Sequence, residues 1–256
     1  MSAPVAPDPW ATLRRHTPAR IALGRSGTSL PTHELLRFAA AHARARDAVH
    51  VPLDVPALRA ALEADGQSVL CVQSRASSRQ DYLRRPDHGR ALDEPSRQML
   101  SALPRARVDL AVVIGDGLSA LAVQSHAVAA LASLRQALAP RAGEPPLAWG
   151  PTVIATQARV ALADEIGDAL GARLVLILLG ERPGLSAADS LGAYLTHAPR
   201  VGRTDAERNC VSNIRGEGLP PEAAGRRLAW LVRESLRLGL SGIGLKDHSA
   251  IDKLSS

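Results

Sequence analysis

Apolar residues fall in short runs separated by amphipathic stretches along most of this chain. The clearest run is Leu174 to Leu179, six consecutive apolar residues. A run this short and this apolar predicts a strand covered on both faces, as in a parallel sheet. Further strands are expected at residues 68–73, 110–114 and 151–156, with a weaker one near 209–214. Helical spacing predicts helices at about 78–84, 93–102, 119–137, 157–170 and 221–238. Alternating strands and helices imply right-handed crossovers and an α/β fold with a mostly parallel sheet. No internal repeat is evident.

The first fifty residues follow a different pattern. Residues 1–9 are rich in proline and are expected to be loose. Trp10 to Ala19 can be helical, and Gly24 to Thr32 reads as a connector. Pro31-Thr32-His33-Glu34 then opens a helix to about Ala48, with Leu35, Leu36, Phe38, Ala39 and Ala43 on its apolar face. Val51 to Asp54, with prolines nearby, reads as a linker. A unit of this size rarely folds alone, so residues 10–54 are expected to be a helical extension on a domain spanning 55–245. Residues 246–256 read as a flexible tail. At the carboxyl end of the Leu174–Leu179 run, Gly180-Glu181-Arg182-Pro183-Gly184 predicts a charged turn, and Ser186 is placed to cap a short helix. Ligands of open α/β sheets bind at that edge.

Composition narrows the picture. With 46% apolar but only 2% aromatic residues, the core must be built from Ala, Leu, Val and Ile. No run of 18 or more apolar residues suggests a transmembrane helix, and the N-terminus lacks the regions of a signal peptide. Only Cys71 and Cys210 are present, which fits a reducing cytosol better than a disulfide framework. The net charge of +6 is concentrated at residues 1–48, with seven Arg against three acids, and at 75–90, with five Arg against two Asp. Few aromatics argue against single-stranded nucleic acid, which uses stacking platforms. The arginines suit solvent or an acidic partner surface. Lysine occurs only at Lys246 and Lys253, which excludes a Walker A loop. No Cys/His cluster has zinc spacing.

Two constellations remain open on the residues alone. Gly115-Asp116-Gly117-Leu118-Ser119-Ala120 fits the loose G-x-G-x-x-A form of the dinucleotide fingerprint, or a tight βα turn capped by Ser119. It follows the second strand, and no acidic residue clearly ends a strand about 20 residues later, as the fingerprint requires. Arg75, Arg79, Arg84, Arg85 and Arg90 cluster around Tyr82. Their guanidinium forks suit a cofactor phosphate, a partner subunit or solvent alike.

The wording of the chain goes further than any α/β pattern. GERPGLS, SLGAYLTHAPR and ERNCVSNI follow one another between Gly180 and Ile214. In order before them come LRRHTPARIALGRSG, LLRFAAAHARARDAV, VQSRASSRQDYLRRPDHGR, VVIGDGLSALAV and ARVALADEIGDALGA. Together they resemble the small subunit of ethanolamine ammonia-lyase over about residues 10 to 247. That family works with adenosylcobalamin, converting ethanolamine to acetaldehyde and ammonia by radical chemistry. The resemblance implies a Rossmann-like domain that covers one side of the cofactor, with the large subunit holding the other, commonly as six plus six chains. It maps cofactor contacts onto Glu181 of GERPG, Val160 of the Arg159-Val160 segment and Cys210 of R-x-C-x-S-N-I. Substrate recognition and the radical chemistry would belong to the large subunit, so no catalytic residue and no protein metal ligand is expected here. The D-x-H-x-x-G motif of many cobalamin proteins does not occur; Asp87-His88-Gly89 and Asp247-His248-Ser249 have the wrong spacing. Cobalamin is therefore expected base-on, with its dimethylbenzimidazole still on cobalt. Microcompartment-associated members carry an amphipathic N-terminal helix that MSAPVAPDP lacks, so a bacterial cytoplasmic location is expected. The rival readings are a stand-alone nucleotide- or phosphate-binding protein using Gly115 to Ser119, and a basic RNA-binding module.

Overall fold

A computed structural model describes residues 8–17, 19–104 and 106–249. Six strands form one sheet: β1 (Val69–Gln73), β2 (Val108–Gly115), β3 (Trp149–Thr156), β4 (Ala172–Gly180), β5 (Leu191–His197) and β6 (Arg208–Ile214). Their order is β1-β3-β2-β4-β5-β6. The first four run parallel, while β5 pairs antiparallel to β4 and β6 antiparallel to β5. The α/β class holds, but the sheet is mixed. The five expected strands are present, and Leu191–His197 adds an unforeseen sixth. Gly192 sits where the β5–β6 register slips, which interrupts the alternation that marks a strand.

The helices are α1 (Thr32–His50), α2 (Val55–Ala64), α3 (Arg79–Arg84), α4 (Glu94–Ser101), α5 (Ala120–Ala137), α6 (Leu162–Ala169) and α7 (Pro221–Leu238). Side chains of β4 alternate between two apolar cores. Leu174, Leu176 and Leu178 meet Leu131, Leu134, Leu228 and Val232 of α5 and α7. Val175, Ile177 and Leu179 meet Leu100, Leu162 and Ile166 of α4 and α6. β2 is buried throughout and β4 everywhere but Arg173, which explains why their sequences read as nearly continuous apolar runs. On β5 and β6 the alternation leaves Leu195 and Val211 in the core with α7, and Cys210 and Ser212 exposed.

Residues 51–54 form the expected linker. One helix was not foreseen and two expectations are corrected. Residues 55–64 are helical, because the Asp54 carboxylate accepts from Ala57 N at 3.0 Å and Pro56 occupies the first turn, where its missing N–H costs nothing. The helix expected from residue 157 starts at Leu162, because Gln157 takes a left-handed conformation at φ 53°. Ser186 caps no helix: residues 181–190 form an irregular loop. At the N-terminus a short 3-10 helix, Ala11–His16, stands within the expected 10–19 segment and buries none of its residues. Residues 1–7 and 250–256, parts of the segments expected to be loose, lie outside the described residues.

Candidate functional site

The loops after β2, β3 and β4 meet at the carboxyl edge of the parallel strands. Asp116 ties the first to the second. Its Oδ1 accepts from Ala158 N at 2.9 Å and its Oδ2 from Gln157 N at 3.0 Å. Burial raises the Asp116 carboxyl above its ordinary pKa, against the pull of these N–H groups and Arg79. Arg79 reaches the same junction. It donates from Nε to Val49 O at 2.7 Å and from Nη1 to Gly117 O at 2.7 Å, so the end of α1 is fastened to the β2 loop. Two guanidinium groups stack on the Tyr82 ring, Arg79 at 4.7 Å and Arg159 at 4.6 Å from its centroid. Its hydroxyl donates to Ala158 O at 3.1 Å, and burial pushes the phenol up to about 12. These contacts hold the turn that presents Val160.

The β4 loop is fixed from the other side. Ser119 Oγ donates to Ala188 O at 2.8 Å, and Arg215 donates to Ser186 O at 2.9 Å. Asp189 is paired with both His126, at 3.2 Å, and Arg215, at 3.3 Å. At the start of this loop, Glu181 Oε2 accepts from Ser190 Oγ at 2.5 Å and from Asn213 N at 3.3 Å. Its Oε1 has no donor among the described residues. A Cβ on Gly192 would come within 2.8 Å of that oxygen, so the glycine lets the carboxylate lie against β5. Tyr194 stands next along β5 and is the register partner of Cys210 on β6. Crowding at this edge raises the Cys210 thiol above its ordinary pKa, and the Glu181 carboxylate adds to the shift. Burial and Cys210 likewise raise the Tyr194 phenol, so both groups stay protonated at neutral pH.

An open cavity of about 920 Å³ occupies this edge. Val160 and Glu181 both line it, with Tyr82, Leu118, Leu179 and Tyr194. Cys210 is outside the lining but adjoins it through Tyr194. Thus two of the three residues expected from resemblance share one cavity, and the third stands at its margin. The far wall rests on Arg208 and Asp164, only 7% and 1% exposed. The guanidinium meets the carboxylate by two bonds of 2.6 and 2.7 Å, and also donates to Thr196 Oγ1 at 3.0 Å. Arg203 is paired with Glu207 on the rim. The Asp164–Arg208 pair had no signal in the sequence, since its members are 44 residues apart. Of the five arginines expected around Tyr82, Arg79 stacks on it, Arg90 lines the cavity, and Arg85 pairs with Asp87 instead.

The Gly115–Ser119 loop is the tight βα turn of the two alternatives. Ser119 caps α5 by accepting from Ala122 N at 3.3 Å, and Leu118 N donates to Gly180 O at 2.8 Å. Gly117, at φ 58°, lies so close to β4 that a Cβ would come within 2.2 Å of Gly180 O. The turn thus packs directly on β4, with the Leu118 and Ala122 N–H groups taken by the protein itself. No helix among the described residues is long and apolar enough to cross a membrane.

These features define an α/β protein with a cavity beyond the carboxyl ends of its parallel strands, the edge where ligands of open α/β sheets bind. The family model for ethanolamine ammonia-lyase light chain (EutC) matches residues 7–246. The chain is 56% identical over 251 residues to the ethanolamine ammonia-lyase small subunit of Bradyrhizobium diazoefficiens, covering 98% of this chain and 95% of that one. It is 51% identical to the same subunit of Ralstonia nicotianae, with 99% and 94% covered, and 55% identical to that of Rhodopseudomonas palustris, with 94% and 90% covered. The chain belongs to the ethanolamine ammonia-lyase light-chain family. Membership makes it a subunit of a two-subunit, cobalamin-dependent lyase, with a large subunit as partner.

Proposed function

We propose that this chain covers one side of adenosylcobalamin while the large subunit holds the other, and so supports deamination of ethanolamine to acetaldehyde and ammonia. The observation that carries this reading is the cavity at the sheet edge, where Val160 and Glu181 share a wall beside Cys210. The donor set suits the group. Glu181 Oε1 is an unused acceptor matched to the amide side chains around a corrin ring. Val160 offers apolar contact, and Cys210 is a small, protonated side chain that permits close approach. Cys210 and Ser212 of β6 are exposed next to the half-buried Tyr194 of the cavity lining, which suits a second subunit closing over the cofactor. When bound, the cofactor supplies the radical that starts the reaction; this chain's residues bind and orient it.

The finer reading is a Rossmann-like cobalamin domain over residues 55–245, carrying a helical extension at 10–54 and a tail at 246–256. The cofactor sits base-on, in a six-plus-six assembly of large and small subunits in the bacterial cytoplasm. Two unpaired thiols, Cys71 and Cys210, suit such a reducing compartment. The test is the affinity of the two-subunit complex for adenosylcobalamin. Glu181→Gln is expected to weaken binding by ~10- to 100-fold, the value of a hydrogen bond to a charged acceptor. Unchanged affinity in Glu181→Gln, with the complex intact, would remove Glu181 from the site.

A further inference from the structure

Five arginines line the cavity: Arg90, Arg159, Arg182, Arg203 and Arg208. Two are already neutralised, Arg203 by Glu207 and Arg208 by Asp164. The other three have no carboxylate partner among the described residues. The side chains of Arg90 and Arg182 make no hydrogen bond or ion pair there. Arg159 stacks on Tyr82 and donates to Tyr82 O at 3.1 Å, but its Nε is buried with no acceptor. A buried donor left without a partner is costly, and like charges around one cavity repel. Both costs fall when an anion enters. Guanidinium forks match the paired oxygens of a phosphate.

We infer that Arg90, Arg159 and Arg182 form an anion seat for the phosphodiester of the cofactor's nucleotide tail. The inference rests on the reading that this cavity takes adenosylcobalamin. The amide side chains of the corrin are neutral, whereas the tail carries a phosphodiester, so the surplus of cations has one natural counterpart in that ligand. The division of labour follows: the Glu181 acceptor faces ring amides, and the arginines face the tail.

The test compares two probes on the intact complex with the large subunit. One is adenosylcobalamin; the other is adenosylcobinamide, the corrinoid without the nucleotide tail and its phosphodiester. Binding is read by equilibrium dialysis and absorbance, without turnover. Arg182→Gln and Arg90→Gln are each expected to weaken cobalamin binding ~10-fold, and the double variant ~100-fold, with cobinamide binding unchanged. Arg182→Lys, which keeps the charge, should recover part of the loss. Equal loss for both probes, or no loss for cobalamin, overturns the seat. So does loss of co-purification, which would assign these arginines to an acidic surface of the large subunit. A wild-type complex that takes up neither corrinoid would instead overturn the function proposed for the cavity.

Discussion

Replacing Asp164 by alanine is expected to destabilise the protein by ~3–5 kcal/mol, because it leaves the Arg208 guanidinium buried without its one buried counter-charge. Of the remaining partners, Thr196 Oγ1 and Arg203 O are neutral, and the Asp205 carboxylate, 3.4 Å from Nε, is fully exposed, so none replaces a buried bidentate carboxylate. Such a loss is a large share of the ~5–15 kcal/mol by which a domain is stable. It corresponds to a fall of about 6–20 °C in unfolding temperature for a chain of this size. The double variant Asp164→Leu with Arg208→Met removes both charges and should recover most of the stability. Thermal unfolding of the complex distinguishes the cases. A single-variant cost below ~1 kcal/mol would mean that the pair is far more hydrated than its burial indicates.

The second large effect belongs to Gly117. Alanine there must adopt φ 58° and place its Cβ within 2.2 Å of Gly180 O and 2.9 Å of Gly180 N. The conformational term alone is ~1–2 kcal/mol, and the clash adds ~1–3 kcal/mol. Gly171 isolates the first term: it also has positive φ, at 63°, but nothing lies within 4 Å of its added Cβ. Gly171→Ala is therefore expected to cost only ~1–2 kcal/mol, and Gly117→Ala about twice as much or more. The consequence reaches the cavity, because relief of the clash must move Gly180, the residue before Glu181. Equal shifts in unfolding temperature for the two variants would contradict the close approach of the β2 turn to β4.

Strong periodicity and capping made much of this fold legible. Leu174–Leu179 announces a strand buried on both faces, and α7 begins and ends where its sequence pattern does. Failures occurred where a tertiary contact overrode the local pattern. Residues 157–161 read as helix, but the Asp116 carboxylate takes the N–H groups of Gln157 and Ala158 and holds them in a turn. The linker at residues 51–54 holds, but the helix after it was missed, although Pro56 after an Asp54 cap is a helix start. β5 was hidden by Gly192 at its bulge. At the site, Glu181 was legible as a charge at a strand end, whereas Val160 and Cys210 came only through resemblance. The Asp164–Arg208 pair and the stacking of Arg159 on Tyr82 have no local signature, because sequence-distant residues meet only after the sheet forms.

The central claim is that this chain acts as half of a cofactor-dependent lyase. The most direct measurement is acetaldehyde formation from ethanolamine and adenosylcobalamin, with the chain co-expressed with its large subunit and with each subunit alone. Co-purification and acetaldehyde are expected from the pair, and no acetaldehyde from either chain alone. Full activity of the large subunit by itself, or an inactive pair that fails to co-purify, would contradict it.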